Sequence, residues 1–198
     1  MPDTDQYIFG YGSLIDSQTR VSTTPSALYA SPVNVIGIQR GWFGRLADVG
    51  PTYLAALPNP DCDCNGVIFK VSVQELEAFD EYESGYERKR IDPNNVILLD
   101  DSKPVAQGDI WFYTCAVKRF ATPESPILQS YLDTCLNGCF EIEANFPQAK
   151  EAKFAERFLK TSSDWSKNWA NDRPQHEHHP NSSKIDELIR KMLAQEND

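Results

Sequence analysis

The chain has 198 residues, 40% of them hydrophobic and 24% charged, and carries a formal net charge of −10. A chain of this length buries a sizeable core without staples. Its acidic balance, with a pI of about 4.8, argues against nucleic acid and against anionic membrane surfaces, which want clustered Lys and Arg. The five cysteines are odd in number and show no disulfide-framework spacing. The start, Met1-Pro2-Asp3-Thr4-Asp5, has no charged n-region and no apolar h-region, so no signal peptide is expected. No apolar run approaches the roughly 18 residues of a membrane span. Together these features point to a reducing cytoplasm.

Residues up to about 115 read mostly as short strands rich in β-branched and aromatic residues: Tyr7–Phe9, Val33–Ile38, Thr52–Leu57, Gly66–Val71, Val96–Leu99 and Asp109–Thr114. One helix interrupts them. Ser72-Val73-Gln74-Glu75 matches a capping box, and the helix runs to about Glu83, before Ser84-Gly85. After Thr122-Pro123 the pattern turns helical. Pro126–Leu136 places Ile127, Leu128, Tyr131, Leu132 and Cys135 at helical spacing and is expected to end at Asn137-Gly138. A second helix is expected over Lys150–Leu159, with Phe154 and Phe158 on one face. The polar stretch Asn171–Ser183 reads as a loop. A last amphipathic helix carries Ile185, Leu188, Ile189 and Met192 at i, i+3, i+4 and i+7. The expected class is α+β, a strand-rich body with a helical C-terminal extension.

Two features carry chemistry. The first strand runs into Gly10-Tyr11-Gly12-Ser13-Leu14, where glycines on both sides of a tyrosine let backbone N–H groups approach an anion closely. The same pattern also occurs as a plain turn. It is neither a dinucleotide fingerprint, because Ile15 occupies the third glycine position, nor a phosphate loop, because no Gly-Lys-Ser/Thr follows. The second feature is Glu83. At 100° per residue, Leu76 and Phe79 define the apolar face of the Ser72–Glu83 helix, and Glu83 falls on that face. A carboxylate leaving water there has a raised pKa, which suits a group that takes and returns a proton near neutral pH. The alternative is that Glu83 sits at a fraying helix end, paired with Arg88 or Arg90.

Other clusters point less far. His176, His178 and His179 are the three histidines of the chain and lie in the polar loop, without cysteines at finger spacing. A Ser-His-Asp or Cys-His enzyme would have to recruit one of them, which argues against a triad hydrolase. No metal site is expected. Cys62 and Cys64, in a Pro- and Asp-rich loop, read as two exposed thiols. Cys135 and Cys139, four apart, read as small apolar packing residues. Trp165 and Trp169 are expected to anchor the C-terminal extension on the body.

Tyr11-Gly12-Ser13-Leu14 after the first strand resembles the YGSL/YGSN motif of the γ-glutamylcyclotransferase-like superfamily. Phe79-Asp80-Glu81-Tyr82-Glu83-Ser84-Gly85-Tyr86-Glu87-Arg88 resembles that family's LDxxE…Y.R segment, and Asn65-Gly66-Val67-Ile68-Phe69-Lys70-Val71 is similar to the strand between them. The resemblance spans roughly residues 7–114. It implies a small mixed β-barrel flanked by helices, with a catalytic body over residues 1–120 and residues 121–198 as a helical extension packed on the same domain. It also implies roles: Gly10, Tyr11, Gly12, Ser13 and Leu14 cradle the α-carboxylate of a small γ-glutamyl substrate, and Glu83 is the proton shuttle. The implied reaction releases 5-oxoproline and a free amine or amino acid and calls for no metal or other cofactor.

Overall fold

A computed structural model describes residues 4–45, 48–83, 85–100, 108–173 and 181–195. Its strands are β1 (Gln6–Gly10), β2 (Ser31–Gly44), β3 (Tyr53–Val71), β4 (Tyr86–Ile91), β5 (Val96–Leu98), β6 (Asp109–Cys115) and the two-residue strands β7 (Ile127–Leu128), β8 (Ser162–Ser163) and β9 (Trp169–Ala170). Its helices are α1 (Ser17–Thr23), α2 (Val73–Tyr82), α3 (Gln129–Asn145), α4 (Pro147–Glu151), α5 (Phe154–Lys160) and α6 (Ser182–Gln195). The class is α+β, as expected.

The main sheet has the order β4-β6-β1-β3-β2-β5, with β8 added along β2. β1 lies inside it, antiparallel to β3 (Ile8↔Phe69) and parallel to β6 (Ile8↔Trp111). Successive side chains of a strand face opposite sides. Ile8 accordingly joins a core cluster with Trp42, Phe69, Phe79, Leu132, Phe154 and Phe158. Phe9 joins a second cluster with Val33, Val35, Ile91, Val96, Ile110 and Phe112. The second cluster draws on both ends of the sheet. β4 and β5, the end strands, are joined only by the short turn around Pro93–Asn95. The sheet therefore wraps round this cluster, but β4 and β5 do not pair, and the barrel stays open.

Several expectations change in detail. The strands expected at 52–57 and 66–71 are one 19-residue strand, β3. Pro58, Asn59, Pro60 and Asp61 serve a wide irregularity opposite Gly37 (φ +87°), where the pairing jumps from Ile36↔Asp63 to Ile38↔Pro58. β4 was not expected, because Glu87, Arg88, Lys89 and Arg90 give it the charged composition of a sheet edge. Cys64 is fully buried and Cys62 half-buried, within β3 rather than in a loop, so the two exposed thiols are corrected. Cys135 and Cys139 are buried as expected.

α2 starts where the capping box says it does: Glu75 N–H donates to Ser72 Oγ, and Ser72 N–H donates to Glu75 Oε2 at 2.7 Å. α3 does not stop at Gly138. A Cβ there would lie 2.3 Å from the Asp16 backbone nitrogen, so this glycine admits a close crossing of α3 and the 3-10 turn Ser13–Ile15. The helix expected over Lys150–Leu159 is two helices, broken at Lys153 in the left-handed region (φ 51°). Phe154 and Phe158 are buried together. Trp165 packs on Trp42 of β2, with ring centroids 5.3 Å apart, and stacks on Trp169. No helix among the described residues is long and apolar enough to cross a membrane.

Candidate active site

β1 ends at Gly10, and the chain leaves the sheet through Tyr11 and Gly12 into the single turn Ser13–Ile15. Asp16 then caps α1 by accepting from Thr19 N–H at 2.7 Å. Residues 10–14 form one wall of a cavity of about 410 Å³. The opposite elements contribute Tyr53 and Leu54 from the start of β3, Glu83 from the end of α2, Tyr86 from the start of β4, Tyr113 from β6 and Tyr131 from α3. All six residues singled out in the sequence thus border one space of a size that suits a small ligand.

Glu83 is the one carboxylate among the described lining residues. It closes α2, its N–H donating to the Phe79 carbonyl at 2.8 Å and its carbonyl accepting from Tyr86 N–H at 2.8 Å. Its side chain is half-buried, and burial alone pushes its pKa up to about 7. Neither arginine expected as an alternative partner pairs with it. Arg88 is bonded to Asp80 at 3.0 Å and lies over the Trp111 ring, and Arg90 is bonded to Asp109 at 2.6 Å.

The remaining walls are phenolic. Burial pushes Tyr86 up to about 12, and burial raises Tyr11, Tyr113 and Tyr131 as well; the Glu83 charge adds to the rise at Tyr11, Tyr86 and Tyr113. These phenols stay protonated and act as hydrogen-bond donors. Tyr11 spends its proton on the Tyr113 carbonyl (2.8 Å), and Tyr113 spends its own on Asp80 (2.9 Å). Tyr131 stands edge-on to Tyr53 and Trp42, at 5.0 and 5.9 Å. A Cβ on Gly12 would come within 2.8 Å of its hydroxyl. The sequence reading missed Tyr53, Tyr113 and Tyr131 as cavity residues. Tyr86 stood inside a quoted motif but without a role.

Behind residues 10–14 lies Arg40, fully buried in β2. Among the described residues no group of three His, Cys, Asp or Glu is arranged to hold a metal ion. His176, His178 and His179 lie outside the described residues.

Residues 8–131 match the family model described as gamma-glutamyl cyclotransferase, AIG2-like. No curated protein matches the chain. Among solved structures, one titled gamma-glutamyl cyclotransferase is similar at 14% identity and a TM-score of 0.59, over 94% of this chain and 99% of the other. An uncharacterized protein from Homo sapiens is similar at 14% identity and a TM-score of 0.57, over 95% and 99%. At these identities the likeness is one of fold.

Proposed function

Since the chain belongs to the gamma-glutamyl cyclotransferase, AIG2-like family, we propose that it converts a γ-glutamyl amine or amino acid to 5-oxoproline and the free amine. The observation that carries this reading is Glu83: a half-buried carboxylate with no ion-pair partner among the described residues and a pKa near 7, in the same cavity as the Gly10–Leu14 turn. Backbone N–H groups of the turn hold the substrate's α-carboxylate. Glu83 takes a proton from the α-ammonium, and the freed amine attacks the γ-carbonyl carbon. The new C–N bond closes the five-membered ring. The old amide C–N bond breaks as Glu83 returns the proton to the departing nitrogen, and the ring nitrogen's second proton then passes through the freed Glu83 carboxylate to the released amine, which leaves as its ammonium. Both reacting groups belong to one molecule, so orientation supplies much of the acceleration. The neutral Tyr86 phenol is the candidate donor to the carbonyl oxygen as negative charge develops there.

The described cavity lining contains no Lys or Arg. A leaving group with its own carboxylate finds no cation there, whereas an apolar amine meets aromatic rings. This favours γ-glutamyl amines over γ-glutamyl amino acids. The test is to incubate the protein with a γ-glutamyl amine, γ-glutamyl dipeptides and glutathione, and to measure 5-oxoproline. Release by the wild type that collapses in a folded Glu83→Gln variant is the expected result. No release from any substrate would overturn the reading in favour of a non-catalytic module that binds small carboxylates.

A further inference from the structure

Arg40 has 0% of its surface exposed and makes no ion pair among the described residues. An uncompensated buried charge is expensive, so its surroundings must supply what a carboxylate otherwise would. Its Nε donates to Ser162 Oγ at 2.9 Å. One terminal nitrogen donates to the Asn65 carbonyl at 2.6 Å and to the Tyr11 carbonyl at 3.2 Å. The other donates to Asn65 Oδ1 (3.1 Å), the Phe158 carbonyl (2.8 Å) and Thr161 Oγ1 (2.8 Å). The guanidinium also lies over the Phe158 ring at 4.0 Å. Every partner is neutral, so the full positive charge remains unspent.

Part of this is plainly structural, since Phe158 lies in the last turn of α5, Thr161 caps it and Ser162 follows in β8, where a cation suits the helix's exposed carbonyls. The bond to Tyr11 is different. In a trans peptide the carbonyl and the next N–H point in opposite directions, and the chain has no cis peptide among its described residues. Holding the Tyr11 carbonyl from behind therefore turns the Gly12 N–H the other way, and Gly12 lines the cavity. No protein acceptor for that N–H is present among the described residues.

Resting on the function proposed above, we infer that Arg40 is the positioning residue of the carboxylate cradle. It fixes the Tyr11–Gly12 peptide with its N–H toward the substrate's α-carboxylate and sets a positive charge one peptide behind it. Through Ser162, Thr161 and Phe158, this inference makes the α5–β8 segment of the C-terminal extension part of the site's support rather than an appendage.

The test compares a γ-glutamyl amine with the 4-aminobutyryl amide of the same amine, which has the same carbonyl and leaving group but no α-carboxylate, and cyclises to 2-pyrrolidone. The variants are Arg40→Lys and, leaving the charge in place, the double variant Thr161→Val with Ser162→Ala. In both, KM for the γ-glutamyl amine is expected to rise about tenfold with kcat little changed, while kcat/KM for the 4-aminobutyryl amide stays within about twofold. Equal losses on both substrates would make Arg40 a purely structural residue and overturn the inference, as would no change on either. If the wild type cyclises neither compound, the reaction reading falls, and the cradle is judged by calorimetric titration with 5-oxoproline. Binding about tenfold weaker in the variants sustains it. Equal binding, or none to the wild type, overturns it. If Arg40→Lys fails to fold, the double variant alone decides.

Discussion

The two walls of the cavity are built in opposite ways. The Gly10–Leu14 wall is tied down from behind: Arg40 bonds the Tyr11 carbonyl, the Tyr11 hydroxyl reaches the Tyr113 carbonyl, and α3 crosses the turn so closely that only glycine fits at position 138. The Glu83 wall is the capping residue just past a ten-residue helix, and its carboxylate has no cation partner among the described residues. A cradle for a fixed charge gains from rigidity, because donors already aimed need not reorganise. A proton shuttle gains from the reverse. A cation beside Glu83 would hold its pKa low, where it could accept a proton only poorly. One wall is therefore rich in partners and the other kept poor in them, and the chemistry proposed needs both.

The comparison is broken most completely by removing the shuttle. Glu83→Gln keeps the shape and removes the titration, and kcat/KM is expected to fall by about 10²–10⁴-fold, measured as 5-oxoproline release. In the wild type, kcat/KM should rise with pH through about 7 as Glu83 loses its proton in the free enzyme; a rate flat across that range would remove Glu83 from the role. The rigid wall is tested next by Gly12→Ala. The added methyl would meet the Tyr131 hydroxyl at 2.8 Å, and Tyr131 is held between the Tyr53 and Trp42 rings. Displacing the cradle this way is expected to lower kcat/KM by up to about 100-fold. Unchanged kinetics would mean that Tyr131 yields and the wall is softer than it looks.

A smaller effect falls on stability. Glu83 has a pKa near 7 in the folded chain against about 4.3 unfolded, so between these values the folded state holds more protons. Stability is then lost as pH rises from about 4.3 to 7. Glu83→Gln lacks this loss and should be the more stable protein at pH 8, by at most about 4 kcal/mol, with the difference shrinking toward pH 5. Thermal melts at the two pH values check it, and a variant equally or less stable at pH 8 would mean that burial does not strain Glu83.

What could be read from the sequence was local. Ser72 and Glu75 are three residues apart and report a helix start directly; Leu76, Phe79 and Glu83 share one helix and report a face. The turn at Gly10–Leu14 is contiguous. What could not be read depends on partners far along the chain. Arg40 reaches residues 25, 29, 118, 121 and 122 positions away. The tyrosines at 53, 86, 113 and 131 meet only because four elements converge at one end of the sheet. Where local signals misled, a distant contact had taken them over. Gly138 is used for a crossing with Asp16 instead of a helix end, and Asn59-Pro60-Asp61 sit in an irregularity of a strand instead of a loop between two. The charges of Tyr86–Ile91 hid a strand: Arg88 and Arg90 pair with Asp80 and Asp109, outside the segment, and Lys89 pairs with Glu87 within it.

The smallest expected effect asks how Glu83 is held when its side chain has no partner among the described residues. Leu76 and Phe79, 5% and 3% exposed, anchor α2 in the core, and Phe79 stacks on Tyr113 of the same cavity. The capping box secures only the far end of the helix. Ser72→Ala should therefore lower stability by about 1 kcal/mol, a drop in Tm of a few degrees for a chain of this size, and leave kcat/KM within about twofold. A loss of activity well beyond the loss of stability would show that the cap, and not the packing of Phe79, sets where the helix ends. The sparse wall would then depend on the whole length of α2 rather than on its last turn.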